Sequence, residues 1–231
     1  MPTDGCGLTV LYEDPHLLAL DKPAGTTSQG PAPAGASLED QVRAYLGPGP
    51  AFVGVVHRLD RPTSGVILWA KTVKAARRLS AQFGRREVVK RYWAVVDGVV
   101  EPRTGRWEDW LGPIRPASVV SVSVEGAPQS RWAITDYEVL GIARLPAGQS
   151  LLSLGPETGR THQLRVQASS RGLPILGDSA YGSTVAFPLG IALHARSLEV
   201  RHPISGEPLR LVAGLPTSWA EAGIAPTTID A

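Results

Sequence analysis

The chain has 231 residues, 43% hydrophobic and 19% charged, with a net charge of +2. That is enough apolar sequence for a sizeable core, and it excludes a disordered polyelectrolyte. A single cysteine, Cys6, excludes an internal disulfide framework and a cysteine-rich zinc site.

No apolar run approaches the roughly 20 residues needed to cross a bilayer, and Met1 to Gly5 lacks the basic-then-apolar pattern of a signal peptide. A reduced, cytoplasmic setting without membrane attachment is expected. Leu8 to Tyr12 and Leu17 to Leu20 read as strands joined by Glu13-Asp14-Pro15-His16, a short β-hairpin. Asp21-Lys22-Pro23-Ala24-Gly25 ends it, and Lys22 could sit anywhere on the surface. The Gly-, Pro-, Ala- and Ser-rich stretch 28–37 predicts a mobile loop. Ser37 and Asp40 outline a weak capping box, and a short helix through Val42 and Leu46 follows.

Val55 to Trp69 is an apolar strand, a polar turn and a second apolar strand. The turn carries His57, Arg58, Asp60, Arg61, Thr63 and Ser64. Pro62 fixes φ there, and Gly65 permits a backbone shape that other residues resist. Taken alone, Asp60 reads as an Asx-turn acceptor.

Thr72 looks like a helix N-cap and Gly84 like the residue just past the helix end. Ala75, Leu79 and Phe83 make the inward stripe, leaving Lys74, Arg77, Arg78 and Arg85 to solvent or ligand. Lys71 to Arg91 holds eight basic residues and one acid, Glu87. Alone this is a solvated helix face; beside a site it is also the footprint of a phosphate backbone. Val88 to Val96 reads as a strand that puts Lys90, Tyr92, Ala94 and Val96 on one side. Taken alone, Tyr92 is a core tyrosine with a satisfied hydroxyl.

Residues 101–131 predict hairpins and loops, with an alternating strand at Val119 to Val124. Trp132 to Leu140 and Leu151 to Leu154 read as further strands. A helix from near Thr161 to before Gly172 puts His162, Arg165 and Ser169 on one side. Leu176 to Gly182 approaches a nucleophile elbow, but Tyr181 stands where the final glycine is required, so Ser179 is not read as a hydrolase serine. His162, His194 and His202 lack compact ligand spacing and read as structural, so no metal site is expected. Residues 223–231 predict a loose tail. Many short strands with two or three helices, and no βαβ alternation, argue for an α+β fold.

Four segments together carry a resemblance. They are Lys22-Pro23-x-Gly25, His57-Arg58-Leu59-Asp60 with Thr63-Ser64-Gly65, Lys90-x-Tyr92-x-Ala94-x-Val96-x-Gly98, and Thr158-Gly159-Arg160-Thr161-His162-Gln163-Leu164-Arg165. Their order and content resemble the RNA pseudouridine synthases of the RluA class, and the likeness runs from about Leu8 to Pro216. It implies one catalytic domain of two halves, residues 1–222, around a mixed, mainly antiparallel sheet with flanking helices. The S4-type RNA-binding domain found ahead of some relatives has no room before Leu8. Asp60, Tyr92 and Arg165 are implied as catalytic, with Arg165 pairing with Asp60 and Tyr92 stacking on the target base. Arg58, His57, Thr63, Arg160, Leu164 and Lys90 are implied as substrate contacts. The family often has His at the position of Gln167, which leaves a local contact open.

Making pseudouridine breaks a C–N glycosidic bond, turns the base and forms a C–C bond; nothing enters or leaves. No cofactor is expected, the partner is ribosomal or transfer RNA, and a monomer suffices. Asp60 would act as a nucleophile on C1′ or as a base that yields a glycal, and the residues do not choose between these. The uridine must be extruded, and Arg58 stands close enough to fill the gap. A catalytically silent RNA-binding module is the alternative. A retaining glycosidase would need a second carboxylate about 5 Å from the first, and no other acid sits in an equally marked turn.

Overall fold

The computed structural model describes residues 7–32, 35–47, 52–114, 119–140 and 148–224. In chain order the elements are β1 (Thr9–Glu13), β2 (Leu17–Lys22), α1 (Leu38–Tyr45), β3 (Gly54–Val55), β4 (Ser64–Ala70), α2 (Val73–Gly84), β5 (Val89–Asp97), β6 (Thr104–Leu111), β7 (Val122–Ser123), β8 (Arg131–Leu140) and β9 (Gln149–Pro156). Then come α3 (Gln163–Ser169), a 3₁₀ turn (Ser179–Tyr181), β10 (Leu193–Arg201), β11 (Pro208–Val212) and α4 (Thr217–Glu221). The strands form a mixed, mainly antiparallel sheet with few helices, the α+β class expected. The chain divides into two compact units: Met1–Lys90 with Ala195–Leu215, and Arg91–His194 with Pro216–Ala231.

In the first unit β1, β2 and β4 pair antiparallel, β3 adds to β4, and β10 pairs with β11. Leu17 and Ala19, then Val66, Leu68 and Ala70, then Leu198 and Val200 alternate onto one face and pack with Ala75 and Leu79 of α2. The intervening Leu18, Leu20, Ile67 and Trp69 are buried as well. β4 is therefore covered on both faces, which is why it reads as an unbroken apolar run. Each such side chain contributes about 1.5–3 kcal/mol. Asp14 closes the first hairpin by accepting from the N–H groups of His16 and Leu17, both at 2.7 Å. α1 opens with a complete capping box: the Asp40 N–H donates to Ser37 Oγ, and the Ser37 N–H donates to Asp40 Oδ2.

Thr72 caps α2 as expected, its Oγ1 accepting from the Ala75 N–H at 3.2 Å. The far end differs. Gly84 is still helical, and the left-handed residue is Arg86, at φ 60°. The Arg86 N–H donates to the Phe83 carbonyl and the Glu87 N–H to the Gln82 carbonyl, the paired bonds of a Schellman ending. Glycine is the usual occupant; a side chain held left-handed costs about 1 kcal/mol.

In the second unit β9 pairs with β5 and β8, β8 with β6, and β6 with β7, all antiparallel. β6 and β8 run together for eight residues, Thr104 opposite Glu138 to Leu111 opposite Arg131. The alternating stretch 119–124 contributes only the two residues of β7. α3 starts two residues later than expected, after His162 at φ 54°. Leu111, Val120, Ala133, Val166 and Tyr181 form a cluster beneath it. The tail expected from Gly223 starts anchored: Ile224 is buried, and its N–H donates to the Trp219 carbonyl at 2.8 Å. Residues 225–231 lie outside the described residues.

Candidate active site

Asp60 lies in the loop between β3 and β4, and the backbone on either side of it is fixed. Ser28 Oγ donates to the Leu59 carbonyl at 2.6 Å and accepts from the Leu59 N–H at 3.2 Å. The Thr63 N–H donates to the Asp60 carbonyl at 3.0 Å. The Arg61 carbonyl accepts from the Gly25 N–H at 2.8 Å and from Lys22 Nζ at 3.2 Å. Gly65 then passes against β10 at φ 109°, where a Cβ would stand 2.3 Å from the Ala195 carbonyl oxygen. Only glycine fits there, as its placement in the turn predicted.

Lys22 was not predictable in this role. It is fully buried, and Nζ donates to the carbonyls of Pro23, Thr26 and Arg61 at 2.8–3.2 Å. Three acceptors match the three donors of an ammonium. Burial pulls its pKa down to about 7, against the charges of Asp60 and Asp21, which favour the cation. Burial in turn pushes Asp21 up to about 6, opposed by Arg196 and Lys22. Lys22 thus joins the loop after β2 to the Asp60 turn and, where it is protonated, adds a positive charge that acts on the carboxylate.

The other residues of this segment divide. Arg58 and Arg61 are exposed. His57, implied as a substrate contact, faces inward. Its Nε2 accepts from the Leu68 N–H at 2.9 Å, and its ring stacks on Phe83 with centroids 4.9 Å apart. Burial, with the charge of Lys90, holds it neutral at a pKa of about 4. One ring face and Nε2 are thus engaged within the first unit. Thr63, also implied as a contact, is 2% exposed, and its Oγ1 is shielded from solvent with no hydrogen-bond partner. Lys90 is half-buried; burial and then Arg86 lower its pKa to about 8.

In the second unit Arg165 is 7% exposed at the side chain and grips Asp178, itself 2% exposed. Nε donates to Oδ2 and Nη2 to Oδ1, both at 2.7 Å, the fork that only a guanidinium makes. The guanidinium also lies 4.7 Å from the centroid of Tyr181. The side shared by His162, Arg165 and Ser169 appears as predicted, and all three meet Tyr181. His162 Nδ1 lies 2.8 Å from its hydroxyl, and Ser169 Oγ donates to its carbonyl. The Val120 N–H donates to the same hydroxyl. Sequence reasoning missed Asp178, although it lies in Leu176–Gly182.

α3 is fixed by a buried polar ladder. Gln163 Oε1 accepts from Thr158 Oγ1 and the Arg160 N–H, and its Nε2 donates to Thr135 Oγ1 and the Ile134 carbonyl. Thr135 Oγ1 donates to Gln167 Oε1, and Gln167 Nε2 donates to Asp109 Oδ2. The glutamine at 167 is therefore fully bonded. Arg160 is half-buried with Nε on the Trp132 carbonyl, and Leu164 is buried. Tyr92 stands opposite Leu154, and Leu154 opposite Tyr137. Thr135 projects from the same face as Tyr137 and bonds α3, so Tyr92 projects from the face that α3 covers. The second unit thus brings Tyr92 and Arg165 to one side of its sheet.

A sequence model described as RNA pseudouridylate synthase matches residues 16–170. An RNA pseudouridine synthase of Zymomonas mobilis is 36% identical over 226 residues, covering 93% of this chain and 96% of that one. The dual-specificity RNA pseudouridine synthase RluA of Haemophilus influenzae is 37% identical over 209 residues, covering 87% and 90%. Among solved structures, human RNA pseudouridylate synthase domain containing 4 superposes with a TM-score of 0.75 at 26% identity, covering 93% of each chain. No helix among the described residues is long and apolar enough to cross a membrane. With these likenesses running nearly end to end, and the motif segments built into a fixed turn and a clamped helix, the chain belongs to the RNA pseudouridylate synthase family, in its RluA class.

Proposed function

We propose that this protein isomerises specific uridines of ribosomal or transfer RNA to pseudouridine, acting as a monomer in the cytoplasm. The observation that carries the reading is the Asp60 turn. Leu59, Asp60 and Arg61 are held through their backbone by Ser28, Thr63, Gly25 and Lys22, an arrangement suited to presenting one side chain in one geometry. Asp60 supplies the carboxylate that breaks the C1′–N1 bond, by attack on C1′ or through a glycal. Tyr92 stacks on the detached uracil while it turns, and its hydroxyl takes up the proton released from C5 once C1′–C5 has formed. Arg165, anchored by Asp178, supplies a guanidinium to pair with that carboxylate. Arg58 fills the space left by the extruded nucleotide, with Lys90 and Arg160 contributing cationic contacts to the RNA.

RNA carrying 5-³H-uridine tests this. The wild-type protein releases tritium from ribosomal or transfer RNA. Asp60→Ala abolishes release, a loss of at least about 10⁴-fold, while its melting temperature stays close to wild type. Release that persists in Asp60→Ala would remove the nucleophile; a wild-type protein that binds RNA and releases nothing would be a silent binding module.

A further inference from the structure

The cations of α2 and its C-terminal turn exceed what the fold uses. Ala75 and Leu79 face the core, which turns Lys74, Arg77, Arg78 and Arg85 outward. The helix contains no acid, so Lys74 meets Arg77 and Arg78 at i+3 and i+4 with repulsion only. The helix dipole does not account for Lys74, Arg77 and Arg78, which lie outside the last turn. Arg78 donates to the Pro203 carbonyl. Arg85 reaches Glu87 only at 3.9 Å, with both side chains more than half exposed, a contact of little worth. Arg86 then holds an exposed cation in a left-handed conformation that glycine would adopt freely. A face kept only for solubility would mix signs and end on glycine. Arg86 also acts electrostatically on Lys90, which acts on His57, and the Phe83–His57 stack ties the helix to the segment leading into Asp60. Lys74 to Arg85 spans about 16 Å of helix axis, enough to meet several successive phosphates.

We infer that the outward face of α2, continued through Arg86, is a docking surface for the RNA phosphate backbone away from the reacting nucleotide. The inference rests on the proposed reaction. It assigns Arg86 the job of a phosphate ligand and explains why glycine does not occupy its position.

Arg86→Gly separates this role from a structural one, because it relaxes the backbone while removing the charge. The melting temperature of Arg86→Gly stays level or rises by about 2–4 °C. Its affinity for an unmodified transfer-RNA or ribosomal-RNA transcript, measured by fluorescence anisotropy, falls about threefold to tenfold at 0.1 M salt. The slope of log K against log salt loses about 0.7–0.9 for Arg86→Gly and about twice that for Lys74→Ala with Arg77→Ala. Arg43→Ala, which removes an exposed cation from α1, serves as the control and leaves the slope unchanged. In tritium release the loss falls on KM. If wild type forms pseudouridine while these variants keep its slope and KM, the docking surface is wrong and the reaction stands. If wild type forms none, the reaction itself fails and takes the surface with it. Binding of these cations to vesicles of 30% phosphatidylserine, with RNA affinity untouched, overturns RNA as the partner.

Discussion

The Asp60 turn and the α3 site solve the same problem in opposite ways. Around Asp60 the groups that are pinned are backbone: the carbonyls and N–H groups of Leu59, Asp60 and Arg61 are held by a buried ammonium, a serine hydroxyl and neighbouring amides. In α3 the side chain itself is pinned, with Arg165 forked onto Asp178 and stacked on Tyr181. The first arrangement positions a carboxylate by shaping the chain that carries it. The second fixes a charge by matching it with another deep in the unit. The two should therefore fail differently when cut.

The largest effect is expected where charge is matched. Asp178→Ala leaves the guanidinium of Arg165 buried without its fork and should cost about 3–5 kcal/mol in urea unfolding. Replacing both partners, Arg165→Met with Asp178→Leu, should restore most of that stability and none of the tritium release. A double variant as unstable as Asp178→Ala would show that the pair does more than cancel its own charges.

Next comes Lys22→Met, which strips a donor from the carbonyls of Pro23, Thr26 and Arg61 and should cost about 1–3 kcal/mol. Lys22 titrates at about 7 in the fold against 10.5 for an ordinary lysine. Between those values the unfolded chain holds the proton and the fold does not, so Lys22 makes stability rise with pH, by at most about 1.4 kcal/mol per unit. Lys22→Met should flatten the rise between pH 7 and 10. An unchanged slope would mean that the buried ammonium keeps its proton throughout.

The smallest effect belongs to His57. Its pKa of about 4 in the fold lies below the ordinary 6.5, so its contribution is full above pH 6.5 and lost as pH falls towards 4. Asp21, raised to about 6, acts in the opposite sense over much of that range, so the wild-type curve is shallow. His57→Gln can accept from Leu68 without titrating, and the difference between the two unfolding curves isolates the histidine. The gap should narrow steadily from pH 6.5 to 4.5.

Much of this was legible in the sequence, wherever the physics was local. The Asp60 turn, the caps at Ser37 and Thr72, the inward stripe of α2 and the shared side of His162, Arg165 and Ser169 all follow from residue type and spacing. What escaped was set by distant partners. A lysine is expected at the surface because burying its charge is expensive, and the three carbonyls that make burial tolerable come from Pro23, Thr26 and Arg61. β6 hid inside a Gly- and Pro-rich stretch because its order comes from eight residues of pairing with β8. Gly84 looked like the helix stop because glycine is favoured there, whereas the chain places an arginine at the left-handed position two residues on.

The stretch between Ser28 and Ser37 is closed at its base. The Leu38 N–H donates to the Thr27 carbonyl at 2.8 Å and the Glu39 N–H to the Ser28 carbonyl at 3.2 Å, and the Ser28 hydroxyl fastens that base to Leu59. Lengthening such a loop costs little, since closure entropy grows only with the logarithm of its length. Insertions and deletions beyond the clasp can therefore accumulate over evolution without shifting the carboxylate that follows Leu59. A lineage could retune what this edge touches while inheriting its chemistry intact.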